Sequence, residues 1–500
     1  MLFQPQQNIP REEVERGLKL VIRDGVAAEM MTTLTGGAFL VAVALSFGAS
    51  NFQIGLIAAL PTIGNLFQLV AIWLLHRFAN RRAITVICTI AARVPLLLIA
   101  LLPLFMPTDL GLMLLIGLLF VHHFFGAISG TSWSSWMKDL VPEEILGAYF
   151  SNRSRKIQIV AVVMSILTAS VLDYVTANQP GELDVAYASM FAIAGIVGLY
   201  GAYLLARTPE PMIYPVKQNL FRLFQAPLRD TNFRKLLAFI AVWAFAVNLA
   251  APFFTVYMLT MLEFSFSWVI FFTFVSQISN IFFVRIWGRY SDKYSNKTVL
   301  RICAPIYLVA IFLWTFTTFP DRHALTVPLL VVIHIMSGMA LSGINLALNN
   351  IGFKLSPGKQ DAAVFLSTRS LTNAMFAGVA PVIGGLFADY FAERQLNWNL
   401  EWTSPEGDRV FHTLSLQAWD FFFITAFIFG LFALYRLTFV KEAGETERRV
   451  VLAELVSDLG RDARALTSIA GIRSVVSMPF SFFSLIVKPE RRRRPRKAAG

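Results

Sequence analysis

The chain has 500 residues, of which 56% are hydrophobic and only 15% charged, and its mean hydropathy is +0.61. A soluble domain carries about 25% charged residues, so neither a water-soluble globule nor a disordered polar chain fits, and the bilayer is the expected solvent. The net charge of +12 lies in loops between apolar runs and at the C-terminal end, which argues against nucleic acid as a partner and points to anionic lipid headgroups.

Residues 1–24 are polar and charged, so no cleavable signal peptide is expected and this segment is placed in the cytoplasm. A membrane helix needs about 20 mostly apolar residues. Six such runs are predicted in the first half, at 25–48, 52–75, 83–106, 110–136, 154–174 and 185–206. In a linker over 207–233, Pro209, Pro211, Pro215 and Pro227 prevent one continuous helix. Six further runs are predicted at 234–261, 267–288, 298–319, 325–350, 364–390 and 414–438. The runs are continuous and too long for strand alternation, so they are read as helices that satisfy their own backbone. The polar loop over 391–413, with Trp398 and Trp402, is expected at the lipid interface or as a small lid. Residues 439–500 are read as a cytoplasmic tail. Its Val451, Leu455, Leu459 and Leu466 mark an amphipathic helix, and Arg491 to Arg494 give a basic end suited to anionic lipid.

Loop charges set the orientation. One set of loops carries Arg77, Arg81, Lys138, Arg153, Lys293, Lys297 and Lys354, whereas the alternate loops offer Arg322, Arg394 and Arg409. The positive-inside rule therefore places both termini in the cytoplasm. Cys88 and Cys303 lie inside apolar runs without metal-ligand spacing, and they are read as small buried residues rather than a disulfide or a metal site.

The two halves repeat. At an offset of 216 residues, His76 meets Asp292, Arg77 meets Lys293, Arg81 meets Lys297, Lys138 meets Lys354, Arg153 meets Arg369 and Asp173 meets Asp389. A register held without insertion over such a length indicates duplication of a half-protein. The stretch from Gly288 through Asp292 and Lys293 to Lys297 is a short basic turn after span 8, with a degenerate copy at His76, Arg77 and Arg81 after span 2.

Twelve spans in two repeats with this turn resemble the major facilitator superfamily, whose signature there is Gly-x-x-x-Asp-(Arg/Lys)-x-Gly-(Arg/Lys)-(Arg/Lys). The second half departs from it at Ser295 and Asn296; the first half has Ile72 for Gly and His76 for Asp. The stretch from Ser135 to Glu144, followed by Gly147 to Phe150, also resembles bacterial members. The resemblance covers residues 20 to 438. It implies an all-α integral membrane fold of twelve transmembrane helices in two pseudo-symmetric six-helix bundles, which rock about a site near the membrane midplane. It also implies that the turn carboxylate Asp292 braces the halves against span 5, near Ser151 and Ser154. The matching brace, His76 against span 11, would lack a charge.

Polar side chains at membrane depth are costly and are functional candidates by default. In span 1, Glu29, Thr32, Thr33 and Gly36 share one helical face. Glu29 is either a proton or cation site or a structural carboxylate. In span 4, His122 and His123 are adjacent, so only one is expected to face a cavity, and imidazole titrates near neutral pH. Trp133 either stacks on a ligand or anchors the helix. Arg93, well inside span 3, is expected to form an internal ion pair. In the second half, Asn248, Gln277, Asn345 and Asn349 offer amides for neutral polar groups, and His334 an imidazole. Arg153 and Arg369, at helix starts, are expected to meet headgroups or a gate.

The reading is a proton- or ion-coupled carrier of a small organic solute, monomeric, in the cytoplasmic membrane, with efflux favoured over uptake. A non-transporting receptor or scaffold acting through the tail is the rival class. No nucleotide-binding, metalloprotease or nucleophile-elbow motif is present in the sequence, so neither a cofactor nor enzymatic chemistry is expected.

Overall fold

A computed structural model of the chain describes residues 5–7, 9–212, 227–318, 322–355, 362–404, 407–442 and 444. Among these, twelve helices are long and apolar enough to cross a bilayer. They are α1 (Arg11–Ser46), α2 (Asn51–Phe78), α3 (Arg81–Phe105), α4 (Thr108–Leu140), α5 (Glu143–Asn178) and α6 (Pro180–Ala206) in the first half. The second half holds α7 (Thr231–Thr260), α8 (Phe266–Lys293), α9 (Asn296–Phe316), α10 (Thr326–Lys354), α11 (Val364–Phe391) and α12 (Ala418–Thr438). Local chemistry sets several starts. Asp230, Asn80 and Ser295 each accept a backbone N–H three residues on, opening α7, α3 and α9. Ser50 and Gln53 form a capping box at α2.

Several boundaries differ from the sequence reading; α5, for one, begins at Glu143 rather than near residue 154. The first helix begins at Arg11 rather than near residue 25, because its charged first turns lie outside the apolar run that the reading followed. Between α11 and α12 the polar loop is an antiparallel hairpin, β1 (Leu396–Ser404) with β2 (Gly407–Leu416). Leu414 and Leu416, read as the start of span 12, alternate with Ser415 and belong to β2, so α12 begins at Ala418. The expected tail is described only through Glu442 and at Gly444.

The halves share one packing scheme. In the first, α1 packs on α5 and α6, α3 on α4 and α6, and α2 on α4; the second repeats this with α7 on α11 and α12, α9 on α10 and α12, and α8 on α10. The halves meet along two equivalent seams, α2 with α11 and α5 with α8. The face on which α1 begins and α12 ends is called here the terminus side, and the opposite one the far side. Large apolar side chains such as Trp73, Phe105, Met113 and Ile278 project outward, as hydrocarbon allows and water does not.

Each half also ties its last helix to its third. Glu210, fully buried after α6, accepts the Arg81 N–H at 2.6 Å and the Arg82 N–H at 3.1 Å, capping α3. Glu442, after α12, accepts from the Lys297 N–H at 2.7 Å and the Asn296 side chain at 2.8 Å, capping α9. In both cases a carboxylate sits at the positive end of a helix.

Candidate functional site

Between the halves lies a cavity of about 700 Å³ walled by α1, α2, α3, α4 and α7. It is ringed by places where helices break. The first helix unwinds at Gly36, which is extended, and Gly37, which sits at φ +56° in the left-handed region that glycine enters freely. Pro61 lies in α2, ahead of a 3₁₀ turn at Asn65–Phe67, and Pro252 lies in α7; Gly36, Gly37, Pro61 and Pro252 all line the cavity. A broken helix at membrane depth leaves backbone dipoles facing the lumen, where a solute can use them.

The charged and imidazole side chains of the wall all come from the first half. Thr32 and Thr35 of α1, Arg93 of α3 and both His122 and His123 of α4 line the cavity. The expectation that only one histidine would face it is corrected, because the cavity wraps around α4 far enough to meet both positions. His122 is buried and its Nδ1 donates to the Ala92 carbonyl at 2.6 Å, which fixes the ring and directs Nε2 away from that bond. The His123 ring packs edge-on to it at 4.9 Å. No carboxylate is among the lining side chains of this cavity.

Arg93 also borders a second, smaller pocket of about 190 Å³ with Asp24, Ser129, Trp133 and Arg153. Asp24, only 5% exposed, faces the guanidinium groups of Arg93 and Arg153, so the structure brings Arg93 to an internal carboxylate. Arg153 lies over the Trp133 ring at 4.8 Å and also faces Glu29. Hence Trp133 packs on a cation of the protein itself, and Glu29 borders this charged group rather than the central cavity. A Cβ on Gly25 would come within 2.7 Å of Arg153, and one on Gly201 within 2.9 Å of Asp24. The backbone is thus shaped around the buried charges. The Nε atoms of Arg93 and Arg153 and the Nε1 of Trp133 are buried without a hydrogen-bond partner. Asp24 was not among the sequence candidates, because it sits at the edge of the predicted run, beside the charged residues before it.

The other candidates lie elsewhere. Thr33 is not among the side chains lining the cavity. Asn248 donates to the Ala244 carbonyl of its own helix at 2.8 Å. Gln277 and Asn345 are exposed. Asn349 accepts from Arg369 at 2.9 Å, and His334 stacks on Phe272. The second half instead supplies Ala251, Pro252 and Thr255 to the cavity. In the basic turns, Arg81 and Lys297 are buried inside their own halves, whereas His76, Arg77, Asp292 and Lys293 are exposed and Gly288 is half-buried.

The cavity is closed on the far side, where α2 and α11 touch closely. A Cβ on Gly55 would lie 2.1 Å from the Pro381 carbonyl oxygen, and one on Gly385 2.3 Å from that of Asn51. Toward the terminus side these helices part. A pocket of about 390 Å³ separates Asn65, Gln68 and Ile72 from Leu366, Arg369 and Ser370. Another, of about 590 Å³, leads from His122 and His123 down to Ser134.

This architecture defines a membrane carrier built from two repeats around a central cavity. The sequence matches the model of the Major Facilitator Superfamily over residues 25–365 and 287–488, and the chain belongs to that superfamily. Three similar solved structures span the same fold. The nucleoside transporter NupG shares 12% identity over 86% of this chain and 99% of its own, with a TM-score of 0.63. The xylose transporter XylE from E. coli, in an inward-open conformation, shares 15% identity over 88% of this chain and 99% of its own, at 0.56. A bacterial homologue of the human lysosomal transporter Spinster, in an inward-facing and unoccupied conformation, shares 16% over 76% of this chain and 83% of its own, at 0.54. A comparison with curated proteins finds no match to this sequence.

Proposed function

We propose that the chain carries a small amphipathic solute with an anionic or strongly hydrogen-bond-accepting end across the cytoplasmic membrane, by alternating access and coupled to protons. The observation that carries this reading is the central cavity: aliphatic over most of its wall, with Arg93, His122 and His123 on one side and no carboxylate among the described residues that line it. Such a wall favours a solute that is apolar at one end and accepts charge-assisted hydrogen bonds at the other. Lys and Arg concentrate on the terminus side, which supports cytoplasmic termini and hence an inward-open state.

Arg93 supports a coupling route because it borders both the central cavity and the pocket of Asp24. An anionic group drawn to Arg93 weakens its hold on Asp24, and the carboxylate then takes a proton. Arg153 and Tyr149 on α5 are the other ionisable groups near it, and Glu29 on α1 faces Arg153. This makes proton and solute binding mutually favourable, which is co-transport in one direction. That sign differs from the efflux favoured by the sequence reading.

The test begins with thermal-shift screening of the purified protein against monosaccharides, nucleosides and organic acids. A ligand at 100 times its dissociation constant adds about 2.7 kcal/mol of apparent stability. Hits are then followed as flux into proteoliposomes. Flux driven by a proton gradient of the same direction, and lost in Arg93→Gln, is the expected result. Flux indifferent to protons, or stabilisation by cationic solutes only, would overturn the reading.

A further inference from the structure

The far side carries a reciprocal arrangement that the cavity does not explain. Asp173, near the end of α5, accepts the Phe266 N–H at 2.7 Å through Oδ1 and the Ser267 N–H at 2.9 Å through Oδ2. Those are the first two amides of α8, in the other half. Asp389, near the end of α11, accepts the Asn51 and Phe52 N–H groups, each at 2.9 Å, through its two oxygens. Those are the first two amides of α2, again in the other half. The carboxylates are 216 residues apart and their acceptor helices start 215 apart, so one device is present twice, related by the internal symmetry.

We propose that Asp173 and Asp389 form a pair of far-side latches, each made only while the far side is closed, which together set the population of the inward-open state. Three observations carry this. First, both carboxylates bridge the halves, unlike Glu210 and Glu442, which cap helices within their own half. Second, the local caps are incomplete without them. At α8 the preceding Ser265 makes no side-chain cap, and at α2 Ser50 reaches only the third amide, at Gln53. Without the aspartates, the first two amides of each helix would need water. Third, each latch sits at an α2–α11 or α5–α8 seam, where the halves must separate if the far side is to open. An aspartate bound through both oxygens to N-terminal amides combines charge-assisted hydrogen bonds with the positive helix end.

The turn on the terminus side has no such symmetry, since His76 replaces the carboxylate that Asp292 supplies to the other copy. The far side therefore holds two charged latches against one on the terminus side. That imbalance accounts for a resting state closed on the far side. It rests on the alternating-access reading above, and the test separates the two.

The test uses the full chain in sealed proteoliposomes with Ala44→Cys, a 1% exposed cavity position near the far end of α1, against a parent whose Cys88 and Cys303 are buried. A membrane-impermeant maleimide is applied to the far side. Asp173→Asn and Asp389→Asn should each raise the labelling rate roughly five- to thirty-fold, and the double variant by about the product, because the two seams share no partner. Asp184→Asn, an exposed far-side carboxylate at the start of α6, should change nothing. Thermal unfolding is measured in parallel. Faster labelling with a retained unfolding midpoint is the supporting outcome. Unchanged labelling, a lowered midpoint without faster labelling, or an equal rise in Asp184→Asn would each overturn the latches. Solute flux is scored separately, so intact transport with unchanged labelling rejects the latches and leaves the carrier reading standing.

Discussion

Replacing Arg81 with alanine distinguishes a staple within one half from a brace between halves. The resemblance to the superfamily turn makes this residue part of the conformational machinery, whereas its surroundings argue for a fixed post. Its side chain is fully buried. One guanidinium nitrogen donates to the Pro211 carbonyl at 2.6 Å, another to the Ser135 carbonyl at 3.0 Å and to Asp139, and Nε lies 3.5 Å from Glu210. Glu210 is fully buried, but the Asp139 side chain is 45% exposed. In Arg81→Ala, Asp139 finds water while Glu210 keeps the two amides it caps and the nearby Arg82 side chain but loses its buried guanidinium partner. Removing one member of a buried pair costs about 3–5 kcal/mol. The surviving cap bonds place this case near the lower end, at about 3 kcal/mol. The double variant Arg81→Ala, Glu210→Gln should recover about 1 kcal/mol or more, since the stranded charge is gone. Stability is read by titrating the purified protein with a denaturing detergent, and sided labelling of Ala44→Cys reports the conformational population. A loss below about 1 kcal/mol, or a large change in labelling with unchanged stability, would refute the staple.

Three further outcomes are expected. Gly37→Ala should cost about 1–2 kcal/mol through its φ of +56°, with no clash because nothing lies within 4 Å of the added carbon, and should weaken the thermal shift given by the best solute; an unchanged shift would show that the break is not used in binding. Asp24→Asn should leave solute binding intact and abolish acceleration of flux by a proton gradient, whereas Glu29→Gln should keep it; the reverse pattern would return the coupling role to Glu29. Asp292→Asn should lower far-side labelling of Ala44→Cys several-fold and His76→Asp should raise it, as expected of a charge gained or lost at a helix start, with no change in either rejecting the terminus-side brace.

The membrane fold was legible because hydrophobic length and loop charge follow directly from the bilayer, and the twelve runs needed no tertiary information. The site was legible only in part. Arg93, His122, His123 and Thr32 could be found because a polar group inside an apolar run is conspicuous. Asp24 was missed, and Arg153 was assigned to headgroups or a gate rather than to Asp24 and Trp133, because both sit where a run meets charged residues and their burial depends on packing across α1, α3, α5 and α6. Gly37 gave no signal beyond its neighbour Gly36. The second-half amides misled for a related reason. An amide can be satisfied by a backbone carbonyl of its own helix, as Asn248 is, or by a nearby cation, as Asn349 is.

The repeat supplies a way to separate mechanics from chemistry. Where the two copies agree, the residues hold or move the halves: Arg81 and Lys297 are each buried beside a capping glutamate, and Asp173 and Asp389 each reach across a seam. Arg153 and Arg369 agree as well, and each reaches the equivalent position on the neighbouring helix, Trp133 in one copy and Asn349 in the other. Where the copies differ around the central cavity and the pocket beside it, the charged and imidazole side chains come from the first half. At the same offset Asp24 becomes Ile240, Arg93 becomes Val309, His122 becomes Gly338 and His123 becomes Met339. A symmetric pair of charged pockets would give two coupling sites and a carrier with no polarity between its halves. On the carrier reading proposed above, a single charged pocket would assign solute and proton to the first half and leave the second as the surface against which it rocks. Even the helix breaks follow this division: Gly36 stands at the position of Pro252, and both line the cavity, yet only the first is followed by a residue in the left-handed region.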